Sequence, residues 1–161
     1  MRLTVLAVGA MRRGKEAPLV EDYLARARGM GRGLGFNAVD LVEVAVSKAR
    51  DAETRKAEEA EKLSAHVPDG AHIVMLDERG KGMTSEDLAE MLAVLRDGGA
   101  KNLCFVIGGP DGLAPLPGKH AGRSLAFGGQ TWPHMLVRIM LSEQIYRAIT
   151  ILAGHPYHRG G

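Results

Sequence analysis

The chain has 161 residues, of which 45% are hydrophobic and 25% are charged, and its formal net charge is +2 at pH 7. This balance is typical of a soluble globular protein and excludes a low-complexity chain. The length favours one domain, so we expect residues 1–161 to fold as a single unit. Aromatic residues make up only 4% of the chain, which predicts a mainly aliphatic core.

Apolar residues recur along the chain with strand and helix spacing in turn. The first half of the chain is predicted to contain a strand at 2–9, a helix at 16–30, a glycine-rich loop at 31–36, a strand at 37–45 and a helix at 47–66. A strand at 71–83, a helix at 84–99 and a strand at 101–109 follow. The last part is predicted to contain a short helix or turn at 116–122, a short strand at 123–129 and a long helix that opens at 131–133.

Helix ends and helix surfaces give more detailed expectations. Thr84 or Ser85 is placed to cap the helix over 84–99. Three pairs of opposite charge stand four residues apart, which predicts ion pairs on helix surfaces. These pairs are Asp51–Arg55, Glu58–Lys62 and Glu143–Arg147.

The cysteine and hydropathy patterns bear on the cellular compartment. The one cysteine, Cys104, cannot form a disulfide within the chain, which favours a reducing, cytoplasmic environment. A catalytic role for the Cys104 thiol is the alternative, but the apolar residues around it in the sequence favour a buried core residue.

The apolar run within residues 1–15 is too short for a secretion signal. The apolar segment 132–153 contains three charged residues, so we expect a buried helix and no membrane association.

Basic residues are concentrated at the two ends of the chain. Residues 1–36 contain seven Lys and Arg against three acids, and residues 131–161 contain three Arg against one acid. Residues 37–130 contain eleven basic and fifteen acidic residues. If the two ends meet, they form a positive surface that attracts nucleic-acid phosphates. Unrelated solvated charges are the alternative, and the sequence alone leaves both open.

Alternating strands and helices predict an α/β protein with a parallel sheet and helices on both faces. Ligands of such sheets bind at the carboxyl ends of the strands. Three strand ends there become polar or glycine-rich: LDERGKG (76–82), IGGPDG (107–112) and FGGQTWPH (127–134). Because neither G-x-G-x-x-G nor G-x-x-x-x-G-K-[ST] occurs, a dinucleotide or a nucleoside triphosphate is not favoured.

The terminal residues HPYHRGG (155–161) carry side chains that can do chemistry. A metal site at His155 and His158 is disfavoured because no carboxylate or cysteine accompanies them. Tyr157 and His158 can stack on a nucleic-acid base, and Arg159 can hold a phosphate. A disordered tail is the alternative.

The long last helix is apolar nearly all round. A helix that covers only one sheet face normally shows a polar side. We therefore expect a second subunit to cover part of it, giving a homodimer, with a methionine-rich core as the alternative.

Several of these motifs together resemble one family. LDERGK, IGGPDGL, TWPHMLVRIMLSEQIYRA and the closing HPYHR are similar to SPOUT methyltransferases, in the branch that modifies a pseudouridine of large-subunit ribosomal RNA. The resemblance extends over essentially the whole chain. It implies a carboxyl-terminal trefoil knot, a homodimer, S-adenosylmethionine as cofactor and no metal. The implied reaction is methylation of pseudouridine N3 in helix 69 of 23S ribosomal RNA. Because a protein of this size has little surface with which to read RNA sequence, we expect it to act on assembled ribosomes.

The same resemblance implies the roles of individual residues. The implied cofactor-binding residues are Leu76, Gly108, Phe127, Gly128, Gly129, Gln130, Thr131 and Trp132. Trp132 stands where the family commonly has an aliphatic residue. The candidate catalytic residues are Tyr157, His158 and Arg159, acting on the cofactor of the partner subunit, with His134 as a second candidate. A non-catalytic RNA-binding module with a vestigial pocket is the alternative function.

Overall fold

The computed structural model describes residues 1–11 and 14–158. Strands and helices alternate until the last third of the chain, as the periodicity predicts. The elements are β1 (Arg2–Val8), α1 (Ala17–Gly31), a 3-10 turn (Arg32–Leu34), β2 (Ala38–Val44), α2 (Ala52–Ser64), β3 (His72–Lys81), α3 (Ser85–Asp97), β4 (Asn102–Ile107), β5 (Arg123–Leu125) and α4 (His134–Leu152).

The five strands form one sheet in the order β2-β1-β4-β3-β5, and every neighbouring pair is parallel. All carboxyl ends therefore meet at one edge. Two of the three segments identified in the sequence follow β4 and β5 there, whereas LDERGKG (76–82) lies almost wholly within β3, which runs to Lys81. The register aligns Ile107 with both Ala7 and Leu76. This alignment places the end of β4 between the ends of β1 and β3.

Both faces of the sheet are buried. Along β1, Leu3 and Val5 belong to the larger core, which α1, α3 and α4 cover, whereas Leu6 and Val8 belong to a smaller core beneath α2. Alternate residues of a strand point to opposite faces, so an almost continuously apolar strand indicates a sheet covered on both sides. The predicted α/β fold is confirmed, and the trefoil knot stays a prediction.

The predicted Asp51–Arg55 ion pair is wrong. Helix α2 begins at Ala52 rather than at residue 47, and Asp51 is its N-cap, with a side chain that accepts a hydrogen bond from the Thr54 amide at 2.8 Å. Arg55 instead pairs with Asp111, which lies far along the sequence. Capping and tertiary contacts both satisfy these charges better than a solvated surface pair does.

The Glu58–Lys62 pair is also wrong. The Lys62 ammonium donates to the Ala45 carbonyl at 3.2 Å, and Glu58 accepts from the Ser47 hydroxyl. Both side chains bind the segment that leads from β2 into α2. Spacing along a helix cannot predict such contacts, because they depend on which neighbouring loop is close.

Two local predictions are confirmed. Thr84 caps α3 and forms a reciprocal capping box with Asp87. Cys104 has no exposed surface and lies in the smaller core, and burial raises its pKa to about 11. A thiol with so high a pKa is a poor nucleophile, which agrees with a structural role.

Candidate active site

A cavity of about 770 Å³ lies at the carboxyl edge of the sheet, where the polar segment 76–79 of β3 meets the loops after β4 and β5. This confirms that the three segments converge. Seven of the eight predicted cofactor-binding residues line it: Leu76, Gly108, Phe127, Gly128, Gln130, Thr131 and Trp132. The eighth, Gly129, is described by the structure but is not among the lining residues.

An arch in β3 forms one wall of the cavity. Leu125 of β5 pairs with both Leu76 and Lys81, so the intervening residues 77–80 leave the regular ladder. A Cβ atom on Gly80 would lie 2.7 Å from backbone carbons of β5, so only glycine allows this close approach. The arch brings the polar residues 77–79 to the cavity.

The glycines after β4 allow the loop to fold tightly on itself. A Cβ atom on Gly108 would lie 2.4 Å from the Gly112 carbonyl oxygen, and the Gly112 amide donates to the Gly109 carbonyl at 3.0 Å. Gly112 has a φ of +93°, which favours glycine. The tight fold of this loop therefore requires glycine at positions 108 and 112. Because glycine has no side chain, the loop presents backbone atoms to the cavity.

A two-point ion pair fastens the loop after β4 to α2. The Arg55 guanidinium donates from Nε and Nη2 to the two carboxylate oxygens of Asp111, at 2.7 and 3.0 Å. Its Nη1 also donates to the carbonyls of Ala49 and Arg50. The guanidinium holds the pKa of the Asp111 carboxyl below its usual value, so this carboxyl is ionised at neutral pH.

Two hydrogen bonds hold the loop after β5. The Trp132 indole donates to the Phe127 carbonyl at 2.9 Å and closes the loop, and the Thr131 hydroxyl donates to Glu78 of the arch at 2.7 Å. Trp132 is still 41% exposed. An aliphatic residue at this position could not donate such a bond, so the departure from the family pattern has a structural role in this chain.

His134 lies at the start of α4 and lines the cavity. Burial lowers its pKa, and the charge of Arg138 lowers it further, while Glu59 partly offsets both effects. The imidazole is therefore neutral at neutral pH and can accept a proton. Its Nε2 lies 3.8 Å from the position of a Cβ atom on Gly9, at the end of β1.

Arg138 connects the carboxyl ends of β1 and β2, a role for which there is little sign in the sequence. Its side chain is fully buried, and Nη2 donates to the carbonyls of Val8 and Gly9 at 3.0 Å each. Its Nη1 pairs with Glu43 of β2 at 2.5 Å. The one signal in the sequence is a single arginine within an otherwise apolar stretch of helix.

The predicted catalytic residue Tyr157 lies away from the cavity of its own chain. Its hydroxyl donates to Glu143 of α4 at 3.1 Å, and Arg147 lies 4.9 Å from the centre of its ring. The predicted Glu143–Arg147 ion pair is confirmed at 2.7 Å. Burial and the Glu143 charge raise the pKa of Tyr157 to about 12, so its hydroxyl stays protonated at neutral pH.

His158 is held by α3 and α4. Its Nε2 lies 2.8 Å from the Glu86 carboxylate, and its Nδ1 lies 3.5 Å from Nη1 of Arg147. Because a carboxylate only accepts, the proton of a neutral His158 ring belongs on Nε2, which leaves Nδ1 as the basic nitrogen. Arg159, the third predicted catalytic residue, lies outside the described residues.

Within residues 1–11 and 14–158, no group of three or more His, Cys, Asp or Glu side chains could hold a metal ion. Over the same part of the chain, none of the helices combines the length and the hydropathy needed to cross a bilayer.

The parallel sheet and the cavity at its carboxyl edge define an α/β protein with a ligand site formed by three segments. Residues 1–158 match the family described as "Predicted SPOUT methyltransferase". The chain therefore belongs to the SPOUT methyltransferase family, which confirms the resemblance seen in its motifs.

Relatives with a more specific name cover the same length. A protein of Rhodopseudomonas palustris (strain HaA2), named "Ribosomal RNA large subunit methyltransferase H", is 55% identical over 159 residues, covering 99% of each chain. Proteins of the same name from Xanthobacter autotrophicus and Bradyrhizobium diazoefficiens are 51% and 50% identical, also over 99% of each chain. A crystal structure of a probable methyltransferase from Bordetella pertussis Tohama I covers 92% of this chain and 95% of its own, at 14% identity and a TM-score of 0.47, which carries no argument here.

Proposed function

We propose that this protein transfers a methyl group from S-adenosylmethionine to N3 of a pseudouridine in helix 69 of 23S ribosomal RNA, on assembled ribosomes. The supporting observation is the cavity built from three segments in a chain that is 50–55% identical to full-length ribosomal RNA large subunit methyltransferases H. We infer a single cytoplasmic domain over residues 1–161, with the carboxyl-terminal trefoil knot of the family.

The lining of the cavity fits the proposed cofactor. A volume of about 770 Å³ lies within the usual range for small-molecule sites, roughly 300–1,000 Å³. Apolar side chains such as Leu76 and Phe127 can cover an adenine ring, and the backbone of residues 108–109 and 127–128, which lines the cavity, can read its edge. The predicted cofactor-binding residues would hold the molecule through these contacts. When bound, S-adenosylmethionine supplies a methyl group already activated by a positively charged sulfur.

The chain must then place the base nitrogen in line with that methyl group. Positioning alone can lower a barrier by about 7–11 kcal/mol in favourable cases. The ion pair of Asp111 with Arg55, the bond of Thr131 to Glu78 and the bond of Trp132 to Phe127 keep the cavity walls in place. A rigid cavity of this kind fixes the direction of approach of the base.

Loss of the N3 proton requires an acceptor or a nearby cation. His158 and Arg159 are the proposed catalytic pair, delivered by the tail of the partner subunit, with Tyr157 stacking on the base. Because the Tyr157 hydroxyl stays protonated, we assign it stacking and hydrogen-bond donation, not proton removal. His134 is the acceptor available within the same chain, since it is neutral and lines the cavity.

An uncovered apolar strip on α4 supports the proposed homodimer. Leu136 is 41% exposed, and Val137, Ile139 and Met140 are only partly buried. Such a strip is characteristic of subunit interfaces, which bury apolar side chains away from water. A symmetric contact through α4 would bring the tail of each subunit close to the other, as the shared site requires.

The proposal is tested by mass spectrometry of 23S ribosomal RNA from cells with and without the gene. Loss of one methyl group on a helix 69 pseudouridine, restored by the wild-type protein, is the expected result. The alternative of a non-catalytic RNA-binding module predicts no change in mass and no S-adenosylmethionine binding in calorimetry. Mixed dimers of Arg159→Ala and Gly108→Ala test the shared site, because they regain activity only if the tail serves the partner subunit.

A further inference from the structure

A second cavity, of about 980 Å³, lies between α3 and the edge of the sheet at β3 and β5. We call it the basic groove. Its sheet side carries three exposed cations, Arg79, Lys81 and Arg123, together with two histidines. The histidines are His72 and His120.

The three cations are available to a partner. Within residues 1–11 and 14–158, none of them has a carboxylate within 4.0 Å, whereas most other arginines of this part of the chain are paired. The acids of the groove are Asp87 and Glu90 on α3. Asp87 is already engaged in the capping box at the start of α3, so the groove keeps an excess of positive charge.

Apart from Asp87 and Glu90, the α3 side of the groove is apolar. Met83, Met91, Val94 and Leu95 line it, and Val94 is 64% exposed. An unpaired nucleic-acid strand is complementary to both sides of the groove, because it carries negative phosphates as well as bases with apolar faces. Its phosphates match the cations, and its unstacked bases can lie against apolar side chains. An acidic peptide would use the cations but offers less to the apolar wall.

The basic groove is continuous with the candidate active site. Arg79, at the tip of the β3 arch, lines both cavities. Lys81 and Arg123 follow on the same edge of the sheet. A strand bound along these side chains would therefore arrive at the rim of the cavity that we assign to the methyl donor.

We propose that the basic groove binds the phosphate backbone of the ribosomal RNA strand that flanks the target base. This inference rests on the proposed function, and it assigns the RNA to a face of the molecule that the predicted catalytic tail does not occupy.

The test compares two double variants with equal changes in charge. Lys81→Glu with Arg123→Glu alters the groove, whereas Arg32→Glu with Lys48→Glu alters exposed cations on the 3-10 turn and before α2, away from it. Arg79 is left unchanged because it lines the cofactor cavity. Binding is measured on protein-free 23S ribosomal RNA and on large ribosomal subunits over a range of salt concentrations. S-adenosylmethionine affinity reports whether each variant is folded.

The groove variant is expected to bind RNA roughly tenfold or more weakly at low salt, and its log–log salt slope should fall by about 1.5, because each phosphate contact contributes about 0.7–0.9. The control variant should keep the wild-type slope. Equal losses in both variants would overturn the proposal, as would an unchanged salt slope of the groove variant on subunits, since a contact with a ribosomal protein releases no phosphate counterions.

Failure of the proposed function gives a different result. If wild-type protein transfers no methyl group to ribosomal RNA while the groove variant still loses RNA binding selectively, the proposed function is wrong and the groove assignment stands. If wild type methylates the RNA and the groove variant binds it normally, only the groove assignment falls.

Discussion

The Arg55 guanidinium donates hydrogen bonds to both carboxylate oxygens of Asp111 and so connects α2 to the glycine-rich loop after β4. We expect Arg55→Ala to release this loop and weaken S-adenosylmethionine binding by roughly threefold to tenfold, with little effect on unfolding. Calorimetric titration measures the affinity. Arg26→Ala, which breaks the exposed Arg26–Asp22 pair on α1, is the control and should bind like wild type. Equal affinities for all three proteins would show that the ion pair does not shape the site.

Gly108→Ala tests the close packing of the loop after β4. The added Cβ atom would lie 2.4 Å from the Gly112 carbonyl oxygen, which forces the backbone to move. We expect cofactor binding to fall by roughly 100-fold, because a displacement of about 1 Å at a site can cost that much. Gly29→Ala on α1, where a Cβ atom meets no neighbour, is the control. Wild-type affinity in Gly108→Ala would mean that the loop does not bind the cofactor.

The sequence predicts the sheet well and the site only in outline. The apolar run of β4 and the alternation of apolar and polar residues in β2 identify these segments as strands, because burial on the faces of the sheet gives each strand a simple hydropathy pattern. The contacts that fix the site join residues far apart in sequence, such as Arg55 with Asp111 or Thr131 with Glu78. No local spacing encodes them, which is why the ion pairs predicted for α2 were wrong.

Arg138→Ala should be strongly destabilising. It would leave the buried carbonyls of Val8 and Gly9 without their donor, and each buried polar group left unsatisfied typically costs about 1–3 kcal/mol. Urea unfolding gives the free energy. Lys101→Ala, at an exposed cation before β4, should stay within about 0.5 kcal/mol of wild type. A loss at Arg138 no larger than this would show that the buried network adds nothing to stability.

His134 should make stability fall on the acid side of neutrality. Burial lowers its pKa in the folded state, so between the folded and unfolded pKa values the unfolded chain binds more protons. Stability therefore rises with pH up to the unfolded value of about 6.5 and is level above it. His134→Gln should flatten this part of the curve in urea unfolding at a series of pH values. An unchanged curve would show that other groups cause the dependence.

The contact of His158 with Glu86 tests the catalytic role proposed for the tail. Glu86 holds the imidazole through Nε2, at 2.8 Å. If His158 is the proton acceptor, Glu86→Ala should lower kcat roughly tenfold or more, because a misplaced acceptor loses part of the ~10²–10⁴-fold effect of general base catalysis, with KM for the ribosome and cofactor affinity unchanged. Glu86→Gln keeps an acceptor oxygen and should lose less. In a His158→Gln background, Glu86→Ala should have no further effect, because the two residues act as one unit. Full additivity of the two losses would show that Glu86 acts independently of His158.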